Sequence, residues 1–151
     1  MIFHLVILIS VAASAYGGDG QCDEKTAGRF PHPDECQLYY DCSVTYSPPE
    51  MPGGKGVTEC EYPLLYDESS GKCMKEVECG SRMLKKNGCD YYNNRCYSIR
   101  CPPCFLRFPE CEGLTDGTYP HPAKPGTPRC MVCKNERFVE EIYCPVNVIT
   151  T

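Results

Sequence analysis

Cys36-Gln37-Leu38-Tyr39-Tyr40-Asp41-Cys42 is the stretch on which the reading of this chain turns. Leucine, paired tyrosines and the nearby Val44 favour pleated backbone, so Gln37–Val44 reads as a strand. Side chains alternate along a strand, which puts Cys36, Leu38, Tyr40 and Cys42 on one face and Tyr39 and Asp41 on the other. The cysteine face must turn inward to form bridges. Tyr40 is therefore expected in a core and Tyr39 as an exposed aromatic. Downstream, Ser47–Gly56 (SPPEMPGGKG) has the proline and glycine content of a loop. Tyr62–Tyr66 and Lys72–Val77 flank the polar Asp67–Gly71, which predicts a short hairpin.

The cysteines set the wider organisation. There are fourteen in 151 residues, with fourteen prolines, thirteen glycines and no tryptophan. An even count at this density points to a disulfide scaffold formed in an oxidising compartment. Met1–Ser14 is apolar and lacks charge apart from His4, and it ends at Ala13-Ser14-Ala15, a small-x-small cleavage pattern. Residues 1–15 are thus expected to be a signal peptide, and the protein to be secreted and extracellular. No later apolar run is long enough to span a bilayer. The cysteines divide into six (Cys22, Cys36, Cys42, Cys60, Cys73, Cys79) and eight (Cys89, Cys96, Cys101, Cys104, Cys111, Cys130, Cys133, Cys144). This predicts one module over 22–79, a polar linker over 80–88, and a second cysteine-rich β/loop module over 89–145. Each module is too small for a large core and depends on its bridges.

The first six cysteines are separated by 13, 5, 17, 12 and 5 residues. With the aromatic pair inside the second gap, this resembles the peritrophin-A, or type 2, chitin-binding domain, carbohydrate-binding module family 14. The family's Pro-x-Gly-Leu-x-Phe-Asp stretch corresponds to Glu61-Tyr62-Pro63-Leu64-Leu65-Tyr66-Asp67. Leu64 and Asp67 are retained, Tyr66 replaces phenylalanine, Glu61 replaces proline and Pro63 replaces glycine. The resemblance implies a mainly β, disulfide-rich fold with a three-stranded antiparallel sheet followed by a two-stranded hairpin. It also implies bridges Cys22–Cys42, Cys36–Cys79 and Cys60–Cys73; spacing alone leaves fifteen connectivities open.

Chitin, a neutral polymer of N-acetylglucosamine, is the partner this resemblance implies. A tyrosine ring covers the C–H face of a pyranose and leaves its hydroxyl free for hydrogen bonding. Asp and Ser side chains serve the hydroxyl and acetamide edges. The candidate contacts are Tyr39, Tyr46, Tyr62, Tyr66, Asp67 and Ser69, with Tyr66 also suited to packing against the disulfides. Ser69 stands where such binders often carry an aromatic.

Cys111–Pro145 resembles a von Willebrand factor type C module in its Asp-Gly-Thr-Tyr opening, Pro-Gly turn, Cys-x-x-Cys pair and closing Cys144-Pro145. A degenerate second chitin-binding copy is the alternative. It is suggested by an echo of Gly28-Arg29-Phe30-Pro31-His32-Pro33 in Gly117-Thr118-Tyr119-Pro120-His121-Pro122. A protein partner for this half is a further possibility. His32 and His121, each between prolines, are expected at turn surfaces. Cys101–Cys104 and Cys130–Cys133 have zinc-ligand spacing, but behind a signal peptide they read as disulfides, so no metal and no cofactor is expected. No nucleophile motif or carboxylate pair on a rigid scaffold is present, which argues against an enzyme. The net charge of −5 argues against nucleic acid or an anionic membrane as the main partner.

Overall fold

A computed structural model of the chain describes residues 22, 27–146 and 148; the expected signal peptide lies outside them. The fold is mainly β, with short antiparallel sheets and seven disulfides. Strands β1 (Arg29–Pro31), β2 (Leu38–Asp41) and β3 (Val57–Glu59) form the first sheet, with β2 in the middle. Strands β4 (Leu65–Asp67) and β5 (Lys72–Met74) form a hairpin around the polar turn. Three single 3₁₀ turns follow, at Gly88–Asp90, Tyr92–Asn94 and Cys104–Leu106. Strands β6 (Gly117–Pro120), β7 (Arg129–Lys134) and β8 (Arg137–Tyr143) make a second three-stranded sheet.

The first sheet is covered on both faces, and this departs from the expectation for Tyr39. On one face, Leu38, Tyr40 and Val57 pack with Cys22 and with Met51 from the 47–56 loop. Gly53 lets that loop close: its φ is +104°, and a Cβ there would sit 2.8 Å from the Tyr40 hydroxyl and 2.9 Å from His32 Nε2. On the other face the hairpin folds back, with the Tyr66 N–H donating to the Cys36 carbonyl at 2.9 Å. Tyr39, Cys60 and Tyr66 form a small core there. Tyr39 is consequently 9 % exposed rather than an open aromatic. Alternation identified the two faces correctly but says nothing about what lies over them.

His32 and His121 also differ from expectation, being buried at 3 % and 2 % exposure. Each follows the first strand of its sheet and turns its ring inward to hold the following turn. His32 Nδ1 accepts the backbone N–H groups of Asp34 and Glu35, both at 3.2 Å. His121 Nδ1 accepts that of Ala123, also at 3.2 Å. The neighbouring prolines lack an N–H, and the imidazole supplies an acceptor for the donors beyond them.

The two three-stranded sheets repeat one plan. Pro31 pairs with Tyr39 and Pro120 with Cys130. The His32 N–H donates to Leu38 O, and the His121 N–H to Arg129 O, one residue before the respective partner. Continuing along the middle strands brings Cys42 and Cys133 into corresponding places, and these bond to Cys22 and Cys111. The sequence separations are 20 and 22 residues; the difference is a longer turn between β6 and β7. The β7–β8 connection is a two-residue turn at Asn135-Glu136 with φ of 51° and 57°, the type I′ geometry that matches strand twist.

Residues 80–88 run along both halves. Met83 bridges Glu35 in parallel and exchanges backbone bonds with Asp34 and Cys36. Beyond them, Tyr62 from the first cysteine group packs with Tyr91, Cys111, Met131, Cys133 and Phe138 from the second. Tyr91 is fully buried. Its hydroxyl donates to Leu64 O at 3.0 Å and accepts from the Arg137 guanidinium at 2.8 Å. Glu59, also buried, accepts the Tyr92 and Asn93 N–H groups at 3.0 and 2.7 Å.

Candidate functional site

The aromatic pair in β2 and the hairpin bring four of the sequence-derived candidates into one neighbourhood. The Tyr39 and Tyr66 rings stack with centroids 4.7 Å apart and planes 10° from parallel. Asp67 follows Tyr66 and points into the turn, where its carboxylate accepts the Ser69 hydroxyl at 2.7 Å and the Ser70 N–H at 2.9 Å. These bonds, first among them those from Ser70, hold the Asp67 carboxyl down at about 2. Burial raises the Tyr39 and Tyr66 phenols above their ordinary value.

Arg29 and Asp41 were not among the candidates read from sequence, yet they border this cluster. The Arg29 guanidinium lies 5.6 Å from the Tyr39 ring centroid and donates to Asp41 Oδ2 at 2.8 Å. Ser43 donates to the other Asp41 oxygen through its hydroxyl at 2.5 Å and its N–H at 3.1 Å. The Ser43 hydroxyl is the largest influence lowering the Asp41 pKa, while the bond to Asp41 raises that of Arg29. The cue for Arg29 was available: in an antiparallel sheet, Arg29 opposite Asp41 is a cross-strand charge pair. It could not be recognised before the register was known.

Beside the cluster is a cleft of about 450 Å³ between the β1 exit and the hairpin turn. Pro31 and Pro33 give it apolar walls; Glu68, Ser81 and Arg82 give it polar ones. Arg82 is held there by bonds from its guanidinium to the Cys79 and Tyr66 carbonyls. A rigid apolar wall beside fixed donors and acceptors suits a pyranose with hydroxyl and acetamide substituents.

The other two tyrosines go elsewhere. Tyr62 is 8 % exposed, meets Tyr91 and Phe108 edge-on, and donates to Lys86 O at 3.1 Å. Burial pushes its phenol up to about 12. It is a joint between the halves of the molecule, not a surface ring, because the second cysteine group covers it. Tyr66, at 1 % exposure, is likewise core. Tyr46, in contrast, is 71 % exposed on the loop after β2. Of the four tyrosine candidates, only Tyr46 presents an open ring.

The decisive comparison concerns this same segment. Residues 22–79 match the family model of the chitin binding Peritrophin-A domain. The matched Peritrophin-A segment contains the first sheet, the hairpin and the bridges Cys22–Cys42, Cys36–Cys79 and Cys60–Cys73. No curated protein and no solved structure matches the chain. Within the Peritrophin-A segment, the Tyr39–Tyr66 stack, Asp67, Ser69 and Arg29 adjoin the cleft, and Tyr46 is exposed on the loop after β2.

Proposed function

We propose that this is a secreted, non-catalytic chitin-binding protein, with residues 1–15 as its signal peptide. The match of residues 22–79 to the Peritrophin-A family carries this reading. We assign sugar contact to Tyr46, to the hairpin turn at Asp67 and Ser69, and to the cleft walled by Pro31, Pro33, Glu68 and Arg82. Tyr39 and Tyr66 lie behind this surface: their stack fixes the hairpin on the sheet and so positions the turn. One open ring burying ~100 Å² against a sugar face gives on the order of 2–3 kcal/mol gross. That is weak for a single sugar and improves where a polymer offers repeated engagement.

Retention on insoluble chitin tests the reading. The oxidised protein is expected to be held on chitin beads and not on cellulose, which lacks the acetamide. Tyr46→Ala, at an exposed position, is expected to weaken retention without altering stability. Passage of the wild-type protein through chitin unretarded overturns the function. Full retention of Tyr46→Ala together with Asp67→Ala removes the site assignment and leaves the function standing.

For the second group of cysteines, the shared strand register, the equivalent inward histidines and the corresponding Cys22–Cys42 and Cys111–Cys133 bridges favour a degenerate second copy of the first sheet. This copy lacks a following hairpin among the described residues.

A further inference from the structure

Between Asp90 and Glu110 the chain carries no acidic residue but has three arginines, Arg95, Arg100 and Arg107, in a protein of net charge −5. All three are exposed. Six basic side chains elsewhere pair with carboxylates: Arg29 with Asp41, Lys85 with Glu35, Lys86 with Glu136, Lys124 and Arg129 with Glu141, and Lys134 with Glu76; among the residues described, Lys55, Lys72, Lys75, Arg82 and Arg137 do not. Among the described residues, Arg95, Arg100 and Arg107 have no such partner. Two of them are positioned by aromatic rings instead, Arg95 4.3 Å from the Tyr92 centroid and Arg107 5.0 Å from that of Phe108. Arg95 and Arg107 line one cleft of about 340 Å³ together with Asn94, Pro102 and Pro103, and no carboxylate lines it.

The same stretch carries exposed apolar side chains. Tyr97 and fully exposed Ile99 sit on the small loop closed by Cys96–Cys101, and Phe105 and Leu106 on the 3₁₀ turn bonded to Cys89 through Cys104. Two disulfides thus hold large apolar side chains in water beside uncompensated guanidinium groups. The backbone is already ordered, so binding would not have to order it. Apolar groups next to cations match the two layers of a lipid surface, acyl chains below and phosphates above. A bilayer deforms around a short projecting loop, whereas an acidic protein would need a preformed pocket for Ile99. The acidic excess elsewhere does not oppose this, because charges beyond about 8 Å are largely screened at physiological salt.

We propose that residues 95–107 are a docking surface for a bilayer rich in anionic phospholipid, bound at its interface without spanning. The proposal is independent of the chitin reading. Its test is sedimentation of the full oxidised protein with vesicles of phosphatidylcholine alone and of equimolar phosphatidylcholine and phosphatidylglycerol. Sedimentation is expected with the mixed vesicles only and is expected to weaken as salt is raised. Arg95→Gln with Arg107→Gln, and separately Ile99→Ser with Phe105→Ser, are each expected to lower the partition coefficient about tenfold. The disulfide map and urea midpoint of both variants, expected unchanged, show that they fold. No sedimentation with either vesicle, or equal sedimentation of wild type and both variants, overturns the proposal. So does retention on an immobilised sulfated polysaccharide without vesicle binding, which would make this an anionic-glycan surface.

Discussion

His121 shows how much one side chain can hold. Its side chain is completely buried, Nδ1 accepts a backbone N–H, and Nε2 has no hydrogen-bond partner and lies 3.8 Å from Glu141 Oε2. Burial, followed by the Lys124 charge, lowers its pKa below the ordinary 6.5, against an opposing pull from Glu141. Between the folded and unfolded values the unfolded chain binds more protons. Stability is therefore expected to be full above about pH 6.5 and to decline as pH falls toward the folded value. The slope of urea midpoint against pH over this window should flatten in His121→Gln; an unchanged slope would show that His121 is not the group responsible. Asp67 acts in the same direction at lower pH. Its carboxyl, held at about 2 by Ser70 and Ser69, contributes to the turn above its unfolded value, and that contribution is lost as pH falls through the folded one. An NMR titration should place Asp67 well below the ordinary aspartate value of 3.8. Ser69→Ala with Ser70→Gly should bring it back toward 3.8.

At the scale of elements, the hairpin and the 3₁₀ turns act as covers. The β4–β5 hairpin closes the second face of the first sheet through the Tyr39–Tyr66 stack. The 3₁₀ turn at Gly88–Asp90 delivers Tyr91 to the joint, where its hydroxyl satisfies both Leu64 O and Arg137. Tyr91→Phe keeps the ring but leaves a buried guanidinium and a carbonyl each short of a partner. We expect a loss of about 1–3 kcal/mol in urea denaturation; a loss near zero would mean that water replaces the hydroxyl. Gly88 must be glycine for a steric reason. A Cβ there would lie 2.5 Å from Phe108 Cγ and 3.0 Å from its Cβ. Gly88→Ala is expected to cost about 1–3 kcal/mol by overpacking, measured in the same way.

At the scale of the molecule, bridges and core follow different boundaries. Three disulfides join the first six cysteines and four join the last eight, with none crossing between the groups. The apolar core does cross: Tyr62 belongs with Tyr91, Met131 and Phe138. The ion pair Lys134–Glu76 crosses as well, and Lys86–Glu136 ties the 80–88 segment to the second group. Non-reducing peptide mapping should therefore find no bridge between 22–79 and 89–144. Denaturation should nonetheless show a single transition for both halves, with Tyr62→Ala lowering both together. Two separated transitions would show that the shared core contributes little.

Much of the architecture could be read in advance because its causes are local. Paired tyrosines between cysteines made a strand, a polar turn between two short apolar runs made a hairpin, and the cysteine spacing with its aromatic pair carried the resemblance that the family model of residues 22–79 matches. The Gly-x-aromatic-Pro-His-Pro echo was visible too, though its meaning was not. What had to await the folded molecule was coverage. Whether Tyr39 or Tyr62 meets solvent depends on the hairpin and on the second cysteine group, each of which arrives from a distance along the chain. The inward turn of His32 and His121 has the same origin. Alternation assigns a side chain to a face of its own strand, but burial is a property of two surfaces, and the second surface comes from elsewhere in the chain.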